Sequence, residues 1–186
     1  MLYMNRERMM GLPILALFLS ATIILADQLI KYLVVYALKP VGTVTAIPGL
    51  LNLTYVENRG VAFGMMENQR WLVIIATVLV MAFLIFLLFR KVGKNRLFVA
   101  SVVLIVGGGV GNLIDRVFLG YVIDYLQLTF FPPVCNFADY CVVVGTVLLM
   151  IYILFFSDTL NKKEGAGKKL TAGGDGNGNS KDSVSH

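Results

Sequence analysis

The stretch WLVIIATVLVMAFLIFLLF, residues 71–89, carries no charged side chain and lies between Arg70 and Arg90. Crossing a hydrocarbon core of about 30 Å takes roughly 20 apolar residues at about 1.5 Å each. The stretch meets that requirement and predicts a transmembrane helix. Leu97 to Ile114, between Arg96 and Asp115, reads the same way, as does Tyr140 to Phe156, which ends at Ser157 and Asp158. A fourth segment, Leu12 to Leu38, has Asp27, Gln28 and Lys31 in its second half. Its first part, Leu12 to Ala26 behind Arg6 and Arg8, has the form of a signal-peptide core. However, bulky Ile24 stands where cleavage after Ala26 wants a small residue, and apolar character resumes at Val34, Val35 and Leu38. It is read as one uncleaved helix. The expected fold class is therefore all-α and membrane-embedded, with four transmembrane helices.

Composition agrees. The 186 residues are 58% apolar and 15% charged, with a mean hydropathy of +0.78, whereas a soluble domain carries about 25% charge. The net charge of +5 sits in short basic clusters and a polar tail, which argues against a nucleic-acid surface. Two cysteines, Cys135 and Cys141, are too few for a disulfide scaffold. The single histidine is the last residue, His186, so Ser-His-Asp, Cys-His and His-ligated metal chemistry are not expected. No metal or cofactor is expected.

Lys and Arg in short loops set orientation. Arg6 and Arg8, then Arg90, Lys91, Lys94 and Arg96, then Lys162, Lys163, Lys168 and Lys169 fall on one side of a four-span chain. Both termini are expected in the cytoplasm. The outward connection from Val41 to Gly64 alternates Leu51, Leu53 and Tyr55 with Asn52, Thr54 and Val56 behind Pro48-Gly49, which reads as a small β-hairpin or cradle on the membrane surface. Residues 1–157 form the membrane domain, and 158–186, rich in Lys, Gly, Ser and Asn, read as a disordered polar cytoplasmic tail.

Acids inside a membrane span cost about 2.5–3.5 kcal/mol each and mark function by default. Asp27 falls about 22 Å, and Asp115 about 27 Å, along helices that start on the inside. Asp139 stands at the start of a helix returning inward, and Asp124 shares the outward connection with Asp115 and Asp139. Several acids thus reach one depth near the outer boundary. Such acids also simply mark span ends. Two carboxyls brought together hold one proton between them and supply a base and an acid in one site. Asn112 and Asn136 each precede an aspartate by three residues. They fit either the orientation of a carboxylate or, for Asn136, a helix cap. Asp27 and Lys31, four apart, fit an ion pair. Gly107, Gly108, Gly109 and Gly111 thin one span, for close helix packing or for room beside a substrate.

The segments Asp27-Gln28-x-x-Lys31, Asn58-Arg59-Gly60-Val61-Ala62-Phe63-Gly64, Gly108 to Arg116, Gly120 to Tyr125 and Asn136-Phe137-Ala138-Asp139 occur in this order. Together the chain resembles the bacterial lipoprotein signal peptidases, the signal peptidase II aspartic peptidases, from about Met10 to Phe156. The resemblance implies four transmembrane helices, an extracytoplasmic β-cradle and a short surface helix. It implies cleavage of prolipoproteins before a diacylglyceryl-modified cysteine, and inhibition by globomycin. Asp115 and Asp139 match the catalytic pair. Asn112, Asn136 and Arg116 match residues around it, Asn58 and Asp27 match others needed for stability or substrate handling, and Lys31, Asp124 and Gly108 join them as support. Two positions depart from the family: Tyr140 stands where Ser is common, and Cys135 where an aromatic is common. The expected partners are lipid-modified prolipoproteins and membrane lipid, with the chain acting as a monomer in the bacterial cytoplasmic membrane and its site near the extracytoplasmic face. A proton-coupled transporter and a non-enzymatic assembly subunit are the rival readings.

Overall fold

The computed structural model describes residues 2–60, 70–90 and 95–172. In chain order they form α1 (Leu2–Ala37), β1 (Thr43–Ile47), β2 (Leu51–Asn58), α2 (Arg70–Arg90), α3 (Arg96–Phe118), β3 (Val122–Leu128), β4 (Val134–Cys135) and α4 (Phe137–Ala172). The stretches Gly11–Ala37, Arg70–Arg90, Arg96–Phe118 and Phe137–Phe156 are long and apolar enough to cross a membrane. The fold class is the one read from the sequence, a multi-pass membrane protein with four such helices and a small antiparallel sheet. The chain divides into two units, Met1–Leu149 and Met150–His186; the packing and the site described below lie in the first. In the second, α4 continues to Ala172, within the segment read as a tail, and 173–186 lie outside the described residues. No separate surface helix occurs among the described residues, and Val61 to Gly64 of the second motif also lie outside them.

α3 is the central helix. Protein buries 67% of its span, against 22%, 22% and 17% of the spans in α1, α2 and α4. Its three consecutive glycines explain how. Successive residues turn by about 100° on a helix, so Gly107, Gly108 and Gly109 face three directions, not the single face that the sequence reading gave them. A Cβ at Gly107 would lie 2.7 Å from Ile23 on α1, and one at Gly109 would lie 2.9 Å from Met81 on α2. At Gly108 it would run into the Ala138 carbonyl of α4. α4 answers with its own glycine: a Cβ at Gly145 would lie 2.9 Å from the Ser101 carbonyl. Ser20 Oγ on α1 donates to the Val103 carbonyl of α3 at 3.2 Å. By contrast, Phe18, Leu25, Leu79, Phe83 and Val143 stand exposed on the outer sides of α1, α2 and α4, a surface suited to lipid.

The sheet has the order β1-β2-β3-β4, every neighbour antiparallel. β1 and β2 form the hairpin that alternation predicted, turning at Pro48-Gly49, where Gly49 takes φ +74°. β3 and β4 were not foreseen. The β2–β3 register sets Val56 opposite Asp124 and Asn58 opposite Val122. Leu38, Ile123 and Tyr125 bury the seam between the sheet and the end of α1, with Val34, Val35 and Leu53 packed around them. α3 also runs past its expected end at Ile114 to Phe118, and α4 starts three residues early at Phe137 because Asn136 caps it.

The glycine contacts predict unequal effects. Gly109→Ala meets the flexible end of Met81, which can shift, and gains about 1 kcal/mol of helix propensity, so thermal stability in detergent should change little. Gly108→Ala meets backbone and should lose about 1–3 kcal/mol through overpacking, read as a lower melting temperature.

Candidate active site

Polar residues from α1, α3, the sheet and α4 meet beneath that seam. Asp27, Lys31, Asn112, Asp115, Asp124 and Asn136 are buried, whereas Asp139 is partly exposed. Lys31 Nζ contacts Asp27 Oδ2 at 2.8 Å, Asp115 Oδ2 at 2.9 Å and Asn112 Oδ1 at 2.8 Å. The pair expected from the four-residue spacing of Asp27 and Lys31 is therefore formed, and it is extended across to α3. Gly111 makes the approach possible, since a Cβ there would lie 2.5 Å from Asp27 Oδ2.

The aspartates are held in different ways. Asp115 accepts from Gln28 Nε2 at 3.0 Å and from the Ile123 backbone N–H at 3.2 Å, in addition to Lys31. Asp139 accepts from Asn112 Nδ2 at 2.7 Å through Oδ1 and from the Asn136 N–H at 3.0 Å through Oδ2. Its own N–H donates to Asn136 Oδ1 at 2.9 Å. This is a reciprocal capping arrangement at the start of α4, where the helix dipole favours an anion. Asp124 accepts from Asn58 Nδ2 at 2.8 Å and from Asn136 Nδ2 at 2.6 Å. Burial, and next the charge of Asp139, push the Asp124 carboxyl up to about 7. Arg116 Nη1 donates to the Asn112 carbonyl at 3.4 Å, and its guanidinium interacts with the charges of Asp139, Asp124 and Asp115, in that order.

Most of the residues singled out from the sequence thus converge. The sequence reading joined Asp115 to Asp139, but both oxygens of Asp115 are taken up by Lys31, Gln28 and backbone. The carboxyl that shares a holder with Asp139 is Asp124, through Asn136. Gly108 lies against the Ala138 backbone and serves helix packing. Asn136 is both things the sequence left open: its Oδ1 caps α4 and its Nδ2 reaches Asp124 and Asn112. Gln28 and the Ile123 N–H were missed. A glutamine beside Asp27 inside an apolar span was the available signal for the first, and a backbone donor leaves none. Among the described residues no group of three or more His, Cys, Asp or Glu is arranged to hold a metal.

Residues 19–155 match the family described as Signal peptidase (SPase) II. The chain belongs to the signal peptidase II family. The enzyme is thus a peptide hydrolase. It is 43% identical over 141 residues to the lipoprotein signal peptidase of Caldanaerobacter subterraneus subsp. tengcongensis, covering 76% of this chain and 97% of that one. With the lipoprotein signal peptidase of Clostridioides difficile it shares 48% over 133 residues, covering 70% and 88%. A solved bacterial membrane enzyme superposes with a TM-score of 0.70 at 30% identity, over 80% of this chain and 92% of that one.

The raised carboxyl makes stability depend on pH. Asp124 goes from its ordinary 3.8 to about 7 on folding, so between these values the folded peptidase holds a proton that the unfolded chain has lost. By linkage this group's contribution falls as pH rises through that window and is flat above it. Thermal stability measured from pH 5 to pH 8 should therefore decline less in Asp124→Asn than in the wild type.

Proposed function

We propose that this signal peptidase II, which removes signal peptides from prolipoproteins, cleaves with Asp124 and Asp139 as a proton-sharing pair. The bond cut lies N-terminal to the diacylglyceryl-modified cysteine. The observation that carries this reading is Asn136, whose backbone N–H holds Asp139 while its amide holds Asp124. Both oxygens of Asp139 accept hydrogen bonds, and it sits at a helix N-terminus, so it is the ionised member. It is also the least covered of the four acids in the network. Asp124 is enclosed and keeps its proton up to about pH 7.

In the proposed reaction Asp139 takes a proton from water as the water oxygen attacks the scissile carbonyl carbon. Asp124 gives a hydrogen bond to the carbonyl oxygen, where negative charge develops. As the tetrahedral intermediate collapses, the C–N bond breaks and a proton from the pair passes to the departing amine. No covalent enzyme intermediate forms. Asp115 holds Lys31 and anchors Ile123, the residue before Asp124, which makes it a positioning residue. The alternative pairing of Asp115 with Asp139 would require Asp115 to leave an ammonium and two other donors. The basic loops support placing both termini in the cytoplasm, the sheet and the site at the outer face of the cell membrane, and lipid around a working monomer. That placement suits a substrate anchored by its own acyl chains.

The test is cleavage of a diacylglyceryl-modified prolipoprotein by the purified protein in detergent, read as a gel shift. Asp124→Asn and Asp139→Asn should each abolish cleavage with the fold kept, and globomycin should block the wild type. Asp115→Asn should act mainly by lowering stability. If a folded Asp124→Asn cleaves at the wild-type rate, the pair is wrong; if the folded wild type cleaves no lipidated substrate, the function is wrong. Because the acid must hold its proton, kcat/KM should fall as pH rises through about 7.

A further inference from the structure

Lys31 sits on α1 and makes no direct hydrogen bond or ion pair with Asp124 or Asp139. Its ammonium is nonetheless enclosed, at 1% exposure, and its three acceptors are Asp27 Oδ2, Asp115 Oδ2 and Asn112 Oδ1. We infer that Lys31 is a positioning residue for cleavage: by occupying Asn112 Oδ1 it orients that amide to donate to Asp139 and so keeps Asp139 the ionised, water-activating member. The inference rests on the aspartate pair proposed above and adds how its proton is placed.

An ammonium has three N–H donors and no acceptor. The edge of Asn112 that meets Lys31 must therefore be its oxygen. The nitrogen then faces the other way, at 2.7 Å from Asp139 Oδ1. A reversed amide would set N–H against ammonium and carbonyl oxygen against carboxylate, two repulsions in place of two bonds. Asn136 carries the same polarity onward. Its Nδ2 donates to Asn112 Oδ1 at 3.1 Å and to Asp124 Oδ1 at 2.6 Å, which leaves its Oδ1 to accept from the Asp139 N–H. The direction of the Asn112 amide thus answers to the buried cation, and that of Asn136 agrees with it while also being held by the Asp139 N–H. A donor on the charged form of a carboxyl favours that form.

Net charge alone does not account for the effect. Asp27, Lys31 and Asp115 together carry two negative charges and one positive, so as a group they do not stabilise a further anion. Among the described residues, the titratable and charged groups around the pair are Arg116 and Asp115 from α3, Asp27 and Lys31 from α1, Cys135 from β4, Tyr125 from β3, and Tyr140 on α4. Of these only Arg116 and Lys31 are cations, and only Lys31 donates a side-chain hydrogen bond to an amide that holds the pair.

The discriminating variants are Asp27→Asn/Lys31→Met, which removes one acid and one base, and Asp27→Asn alone, which keeps the bond from Lys31 to Asn112. Two readouts apply: the pH profile of kcat and KM on a lipidated substrate, and the pH at which the pair takes up its second proton, followed by carbon-13 NMR of carboxyl-labelled aspartate. The double variant should move the acid limb and the proton uptake upward by about one pH unit, a tenfold change in the ionisation equilibrium. Below both midpoints of the acid limb kcat should fall about tenfold with KM little changed, and it should recover at higher pH. Asp27→Asn alone should leave both midpoints in place, whatever it does to thermal stability. If the double variant does not fold, Lys31→Gln, which still offers an N–H to Asn112, takes its place with a smaller upward shift expected. Unmoved midpoints in the folded Lys31 variant, or an equal shift in Asp27→Asn alone, would overturn the inference. A wild type that cleaves nothing overturns the function instead, and the NMR titration then decides the role of Lys31 without it.

Discussion

Enclosing an ammonium among carboxylates inside an apolar bundle is the constraint that shapes the rest of this molecule. A charge taken out of water costs several kcal/mol unless it is paired and hydrogen-bonded. Lys31 meets the condition with three acceptors drawn from α1 and α3. Among the described residues of the network, the four acids Asp27, Asp115, Asp124 and Asp139 outnumber the two cations Lys31 and Arg116. Such a cluster lowers its energy by keeping a proton, and burial together with the charge of Asp139 pushes the carboxyl of Asp124, which makes no hydrogen bond or ion pair with either cation, up to about 7. The raised Asp124 carboxyl is thus a consequence of burial and charge balance.

The fold serves that balance by close approach. Glycines on α3 let α1, α2 and α4 pack on a single central helix, so that residues remote in sequence share one polar pocket. Gly111 brings Asp27 against α3, and Gly108 seats the first turn of α4, which carries Asp139. The sheet then delivers Asn58 and Asp124 together through the β2–β3 register. Asp27 Oδ1 stays buried without a hydrogen-bond partner among the described residues, so Asp27 depends on its other oxygen and on Lys31. The pocket is built tightly enough for one member to be left incompletely satisfied.

Much of this was legible in the sequence because the bilayer imposes simple rules. Residues 71–89 declare a span by length and the absence of charge, and residues Leu51 to Val56 declare a strand by alternation. The polar residues inside apolar spans announced the site, since little else justifies an aspartate beside Val and Leu. Less legible was which acids work together. β3 is apolar and short, with Val122, Ile123, Tyr125 and Leu126 around a single Asp124, and its partner strand lies more than sixty residues earlier. Non-local pairing of that kind leaves no periodicity in one segment. The direction of the Asn112 and Asn136 amides was equally hidden, because their partners, Lys31 and the Asp139 N–H, lie on another helix or in the backbone.

The two Asn-x-x-Asp echoes show most directly how one spacing serves two different arrangements. In Asn112-x-x-Asp115 both residues lie within α3, where the backbone already has its hydrogen bonds and the side chains point outward to share Lys31 on α1, Asn112 reaching Asp139 on α4 as well. In Asn136-x-x-Asp139 the same spacing falls on a helix start, where free N–H groups turn each side chain back on the other's backbone. The first arrangement reaches across helices and locks them together. The second fixes a carboxylate at the edge of the pocket with an adjacent amide free to grip another. Identical residue types at identical spacing therefore acquire different surroundings from their position along a helix: Asp115 is enclosed against a cation, and Asp139 stands partly exposed at a helix start.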